Sequence, residues 1–189
     1  VGQLGNVLGK IPLVAHPGTD HPDIAITVAV TRTAASLRFD YALTGQLNTL
    51  RLPAPTQAAR RDGLWQHSCF EAFVRVPGAA AYTEFNFSPS SEWAAYTFAD
   101  YRHAMHDLPV AAIALDKSTS SSNGQGQLAL SASVTLEGWE HGPLLLALSA
   151  VIEEESGNKS YWALRHPSGP PDFHHPDCFA LTLPAPDPA

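Results

Sequence analysis

Cys69-Phe70-Glu71-Ala72-Phe73-Val74-Arg75-Val76, closed by Pro77-Gly78, and Tyr82-Thr83-Glu84-Phe85-Asn86-Phe87-Ser88 decide the fold. In the first stretch Phe70, Ala72, Val74 and Val76 fall on one parity and Cys69, Glu71, Phe73 and Arg75 on the other. In the second, Tyr82, Glu84, Asn86 and Ser88 alternate with Thr83, Phe85 and Phe87. Successive side chains of an extended chain point to opposite faces, so a period of two reads as β-strand. Ser88-Pro89-Ser90-Ser91 then turns the chain into Glu92-Trp93-Ala94-Ala95-Tyr96-Thr97-Phe98, which predicts a hairpin. Its polar face matters, because carboxylate and amide groups on one side of a strand can converge on a ligand.

The same period recurs outward from this centre. Larger aliphatic groups alternate over 24–30 and again over 37–43, and the five or so residues between them fit a hairpin connection. Leu128, Leu130, Ala132, Val134 and Leu136 alternate strictly, as do Leu144, Leu146, Leu148, Ala150 and Ile152. Ser156-Gly157-Asn158-Lys159 supplies turn chemistry before Tyr161-Trp162-Ala163-Leu164-Arg165, and Phe179, Leu181 and Leu183 close the pattern ahead of a frayed tail over 184–189. Residues 52–63 carry two prolines, two arginines and no clean period, so they read as a long loop, and 118–126 reads as a mobile polar loop. No amphipathic helix of convincing length appears. The expectation is one all-β domain over 1–189, core about 10–184, built as an antiparallel two-sheet β-sandwich of about nine or ten strands.

Composition narrows the function classes. The 189 residues are 44% apolar and 15% charged, ordinary for a compact fold, and the formal charge is -7. That charge repels phosphate backbones and anionic lipid, and Arg60-Arg61 is the one basic pair, so neither nucleic acid nor a membrane surface is an expected partner. The longest apolar run, residues 144–152, has strand length, well short of the roughly 18–20 residues of a membrane helix. The start, Val1-Gly2-Gln3-Leu4-Gly5, lacks the pattern of a signal peptide, and a cytoplasmic location is expected. Cys69 and Cys178 read as buried free thiols; each precedes a phenylalanine and opens an apolar alternation, which leaves one disulfide between neighbouring strands open.

Four constellations can carry chemistry. His67 and Cys69, with His174, His175 and Cys178, have the donor types of a transition-metal site, although the irregular spacing is unlike paired zinc motifs. Glu71 and Glu84 lie on neighbouring strands, as solvated outward carboxylates, as sugar-hydroxyl ligands or as an acid and base pair. Trp65, Trp93, Trp139 and Trp162 offer flat faces for a sugar ring, with Tyr82, Tyr96 or Arg165 at the edges, or else pack in the core. Met105, between His103 and His106, can ligate haem iron only with a distant partner such as His67 or His174. Hydrolase elbows, phosphate-binding glycine loops and dinucleotide fingerprints are absent from the chain.

The stretches 64–73, 82–90 and 93–96, with Tyr161-Trp162-Ala163-Leu164-Arg165-His166-Pro167 and 171–181, resemble bacterial DOMON-like domain proteins, relatives of type 9 carbohydrate-binding modules. The resemblance spans about residues 10–184. It implies a jelly-roll-like sandwich whose concave face or loop end takes sugar or haem. Trp65, Glu71, Glu84, Asn86, Trp93 and Arg165 are the residue types that sugar-binding relatives use, whereas haem-binding relatives pair a methionine with a histidine or lysine. The leading expectation is a non-catalytic module for a carbohydrate or similar polyhydroxylated molecule. Its expected ligand residues are Trp65, His67, Glu71, Glu84, Asn86, Trp93, Tyr96, Trp162, Arg165, His174 and His175, with no cofactor. The alternatives are a metal- or haem-dependent redox or hydrolytic protein and a protein-interaction module. The loop from His166 to Asp177, stiffened by Pro170-Pro171, is expected to border the site.

Overall fold

The computed structural model describes residues 6–110, 112–122, 125–135, 139 and 141–186. The expectations for Val1 to Gly5, for Leu136 and for the last three residues of the tail lie outside them.

Among the described residues the chain forms twelve strands, no α-helix and three short 3-10 turns. In order these are β1 (Asn6–Ala15), β2 (Ile24–Arg32), β3 (Ser36–Gly45), β4 (Cys69–Arg75), β5 (Tyr82–Phe87) and β6 (Trp93–Phe98). They continue as β7 (His106–Asp107), β8 (Ala114–Ser122), β9 (Gln125–Thr135), β10 (Leu144–Glu153), β11 (Lys159–Ala163) and β12 (Leu181–Leu183). Both predicted hairpins form, with Val28 opposite Tyr41 and Phe85 opposite Ala95.

Every strand pairing is antiparallel, in the order β7-β6-β5-β4-β10-β11-β1-β2-β3-β9-β8, with β12 added on β10. The expected pair of separate sheets is one continuous sheet, because β1 serves both halves. Its residues up to Leu13 pair with β2, while Val14 and Ala15 pair with β11, after a register shift between Leu8 and Ile11. Such an irregularity bends a strand and sharpens its twist. The sheet curls until its halves meet: the Phe39 ring lies 5.9 Å from Phe87, Tyr41 lies 5.0 Å from Phe70, and the Tyr41 hydroxyl donates to the Glu71 carbonyl at 2.7 Å. Val28, Val30, Leu37, Phe39, Phe70, Phe87, Leu146 and Leu148 are completely buried between them. Each such side chain contributes roughly 1.5–3 kcal/mol relative to exposure.

Three strands lie outside the sequence expectation. β1 contains Gly9, Lys10 and Pro12 and loses its alternation at the register shift between Leu8 and Ile11. β7 has two residues, too few to show a period. β8 includes most of the segment expected as a mobile loop over 118–126, because an edge strand needs only backbone pairing with β9 and its exposed Ser and Thr side chains need not be apolar. Cys178 also departs from expectation: it sits in a 3-10 turn over Pro176–Cys178 instead of a strand. Both cysteines are free and buried.

A candidate ligand cavity on the outer face of the second half

Alternation sends one parity of β4, β5, β6, β10 and β11 into the shared core and the other to the opposite face. That face carries Cys69, Glu71 and Phe73 from β4, Glu84 and Asn86 from β5, and Tyr96 and Phe98 from β6. The segment 164–180 and the loops before β4 and after β6 cover it. A second apolar cluster, including Phe73, Tyr82, Phe98, Ala147, Phe173 and Phe179, forms beneath this cover. Where the cover is incomplete it leaves a cavity of about 510 Å3.

Glu71 and Glu84 both line the cavity and are 3% and 5% exposed. Asn86 stands directly across from Glu71, and Phe73 across from Glu84, so the carboxyl groups are diagonal neighbours on one face. The Asn86 amide donates to Glu84 Oε1 at 2.7 Å, and the Ser149 hydroxyl donates to Glu71 Oε2 at 3.3 Å. Burial first, then the proximity of Glu84, pushes the Glu71 carboxyl well above the carboxylate range. Burial likewise raises Glu84 to about 7, against the pull of Asn86 and Arg102. Both shifts favour the protonated forms of the pair. The expectation of solvated, outward glutamates fails because covering loops close over what would otherwise be the solvent face.

Trp65, Phe98, Tyr161 and Phe173 supply aromatic surface to the same cavity. Trp65 projects from a 3-10 turn over Leu64–Gln66 that starts after Gly63, whose φ of 77° suits glycine. Trp65 is 39% exposed, and its ring meets the Tyr96 ring edge-on at 6.0 Å. The Tyr96 hydroxyl holds Asp62 at 2.7 Å, which anchors that loop.

His174, Arg102, Met105 and Lys159 complete the lining with charge and soft surface. His174 Nδ1 lies 2.8 Å from the Tyr82 hydroxyl and Nε2 lies 3.7 Å from Glu84 Oε2. Burial, then the Arg102 charge, lowers the His174 imidazole to about 4, so the ring is neutral at physiological pH. Arg102 donates to Asp172 at 2.8 Å, and the Tyr101 hydroxyl donates to the same carboxylate. Burial would raise Asp172, but these hydrogen bonds outweigh it and hold the carboxyl below its ordinary value. This clamp fastens the loop after β6 to the closing loop, and Arg102 and Ala104 in the first of these loops adopt positive φ of 50° and 51°.

Of the expected ligand residues, Trp65, Glu71, Glu84 and His174 line this cavity. Asn86 and Tyr96 stand behind the lining and position Glu84 and the Trp65 loop. The others lie elsewhere. Trp93 is 5% exposed on the core parity with the Arg60 guanidinium 4.9 Å from its ring, and Trp162, also in the core, donates to Ser160 at 3.0 Å. Parity carried that signal: Trp93 pairs with Phe87, whose face is opposite that of Glu84. Exposed His67 bonds Glu153 at 2.8 Å, His175 Nδ1 accepts the Asp177 amide at 3.2 Å, and Arg165 is exposed outside the lining.

The possible metal set is scattered in the same way. His67, Cys69, His174, His175 and Cys178 have separate partners, and among the described residues no group of three or more His, Cys, Asp or Glu can hold a metal ion. Haem ligation by Met105 with His67 or His174 does not fit either. His67 is held by Glu153 outside the lining, and both His174 nitrogens face Tyr82 and Glu84. Sequence reasoning did not single out Arg102, Lys159, Tyr161, Phe98 or Phe173. The parity of Phe98 and Tyr161 could have revealed them; nothing local marks Arg102.

Comparison with known proteins adds the fold. The chain is similar to a Bacteroides uniformis protein named a candidate carbohydrate-binding protein, with 14% identity over 93% of this chain and 85% of that one and a TM-score of 0.66. A more distant likeness is a family 9 carbohydrate-binding module from Caldicellulosiruptor kristjanssonii in complex with cellotriose, with 9% identity over 79% of this chain and 70% of that one and a TM-score of 0.44. The same organism's family 9 module with glucose gives 10% identity over 79% and 71% and a TM-score of 0.40. No protein-family model and no curated protein matches the chain.

Proposed function

We propose that this chain is a non-catalytic ligand-binding module, a curled antiparallel β-sheet that takes a carbohydrate or similar polyhydroxylated small molecule into the cavity over Glu71 and Glu84. One observation carries the reading: a half-exposed indole, Trp65, stands at a cavity of about 510 Å3 in which two buried carboxyl groups also take part. A sugar ring presents an apolar face and an equatorial edge of hydroxyls. The indole suits the first, and the carboxyl pair, oriented by Asn86 and Ser149, suits the second. The overall likeness to a protein named for carbohydrate binding supports the same reading.

Calorimetric titration across a panel of mono- and oligosaccharides tests it. At least one sugar is expected to bind, and Trp65→Ala is expected to weaken that binding on the order of tenfold, about 1–2 kcal/mol. Because Trp65 is substantially exposed, the variant should keep the wild-type melting temperature. Binding unaffected by Trp65→Ala would remove the cavity from the reading.

A further inference from the structure

Glu71 and Glu84 are buried, and among the described residues neither makes an ion pair with an arginine or lysine, although the Arg102 charge acts on both. Glu71 Oε1 has no hydrogen-bond partner among the described residues, and Glu84 Oε2 has only the imidazole 3.7 Å away. Of the cations that line the cavity, Arg102 is bound to Asp172, and Lys159, at the start of β11, stands opposite Glu153 in the β10 register without an ion pair to Glu71 or Glu84. His174, Tyr82, Tyr96, Cys69 and Tyr41 also lie against the pair, and the shifts of all five favour their neutral forms.

A buried carboxylate without a paired counter-charge is costly, and burial shifts both carboxyls towards their protonated forms. A ligand cation would supply the counter-charge in place of a proton. Charge-assisted hydrogen bonds from an ammonium to carboxylates are roughly twice as strong as neutral ones. Trp65, Phe98, Tyr161 and Phe173 line the same cavity, and aromatic faces attract cations, more strongly where water is excluded.

We propose that the cavity selects a cationic ligand, an amine-bearing sugar or polyol, whose ammonium group sits on Glu71 and Glu84 among the aromatic walls. The inference rests on the reading of this cavity as a site for polyhydroxylated molecules and adds the charge of the ligand to it.

Titration at neutral pH with D-glucosamine, N-acetyl-D-glucosamine, D-glucose and choline separates the two ideas. Glucosamine is expected to bind about tenfold or more tighter than glucose or its N-acetyl derivative, with Glu84→Gln removing most of that preference. The amide oxygen introduced by Glu84→Gln keeps an acceptor for Asn86, so folding of the variant is expected to survive, and the wild-type ligand series needs no variant at all. Equal affinity for glucosamine and glucose overturns the cation inference and leaves the carbohydrate reading standing. Choline matching glucosamine supports the ammonium site and removes the sugar from the reading. Binding of none of the four overturns the inference.

Discussion

The two halves of the curled sheet obey the same period of two and end in different environments. In β2 and β3 only the inner parity is buried, and the outer residues, such as Thr27, Arg38 and Asp40, stay partly or fully exposed. In β5 all six residues are buried, and in β4 six of seven. A strand of the first half such as β2 therefore has one apolar face and one wet face, while β4 and β5 in the second half are enclosed on both. Identical local patterning says which residues share a face; it does not say what lies against that face. The covered face of the second half is where the carboxyl pair, the aromatic lining and both thiols collect.

Large-to-small substitution should expose this asymmetry most strongly. Phe73→Ala, on the outer parity of β4, is expected to cost about 3–5 kcal/mol, whereas Thr27→Ala, on the outer parity of β2, should stay within about 0.5 kcal/mol. Urea unfolding of both variants measures the contrast. A Phe73→Ala cost as small as that of Thr27→Ala would mean that the covering loops do not pack on the second half.

A smaller effect follows from pH. Glu84 binds its proton more tightly in the folded protein than in the unfolded chain, so its contribution is fully present below about pH 4.5 and is lost as pH rises through about 7. His174, lowered to about 4, acts in the opposite sense below its ordinary value of 6.5. The difference between proteins isolates the carboxyl. Relative to Glu84→Gln, the wild type should lose stability steadily from about pH 5 to about pH 8. A constant difference across that range would show that Glu84 is not enclosed.

The smallest expected signal is an absence of reaction. Cys69 and Cys178 both lie under the cover, and burial raises both thiols, Cys178 to about 12. Native protein should therefore react with a thiol reagent at least about a hundredfold more slowly than the urea-unfolded chain. Rapid labelling of one thiol in the native state would locate an opening in the cover.

Much of this arrangement was legible in the residues themselves. The alternations over 69–76 and 82–88 place Glu71 opposite Phe70 and Ala72 in parity, and Glu84 and Asn86 together on one face; the hairpin pairing of β5 with β6 follows from Ser88-Pro89-Ser90-Ser91. Applied consistently, the same parity would have assigned Trp93 and Trp162 to the core. These properties are local, because the direction of a side chain depends on the φ and ψ of a few residues. The pairing of β1 with two partners, the closing of segment 164–180 over the outer face and the engagement of Arg102 by Asp172, 70 residues away, have no local signature. Sequence alone determined which side chains share a face of each strand. Only the tertiary structure decided that one such face is covered, and desolvation by distant segments is what raises both glutamates above the ordinary carboxylate range.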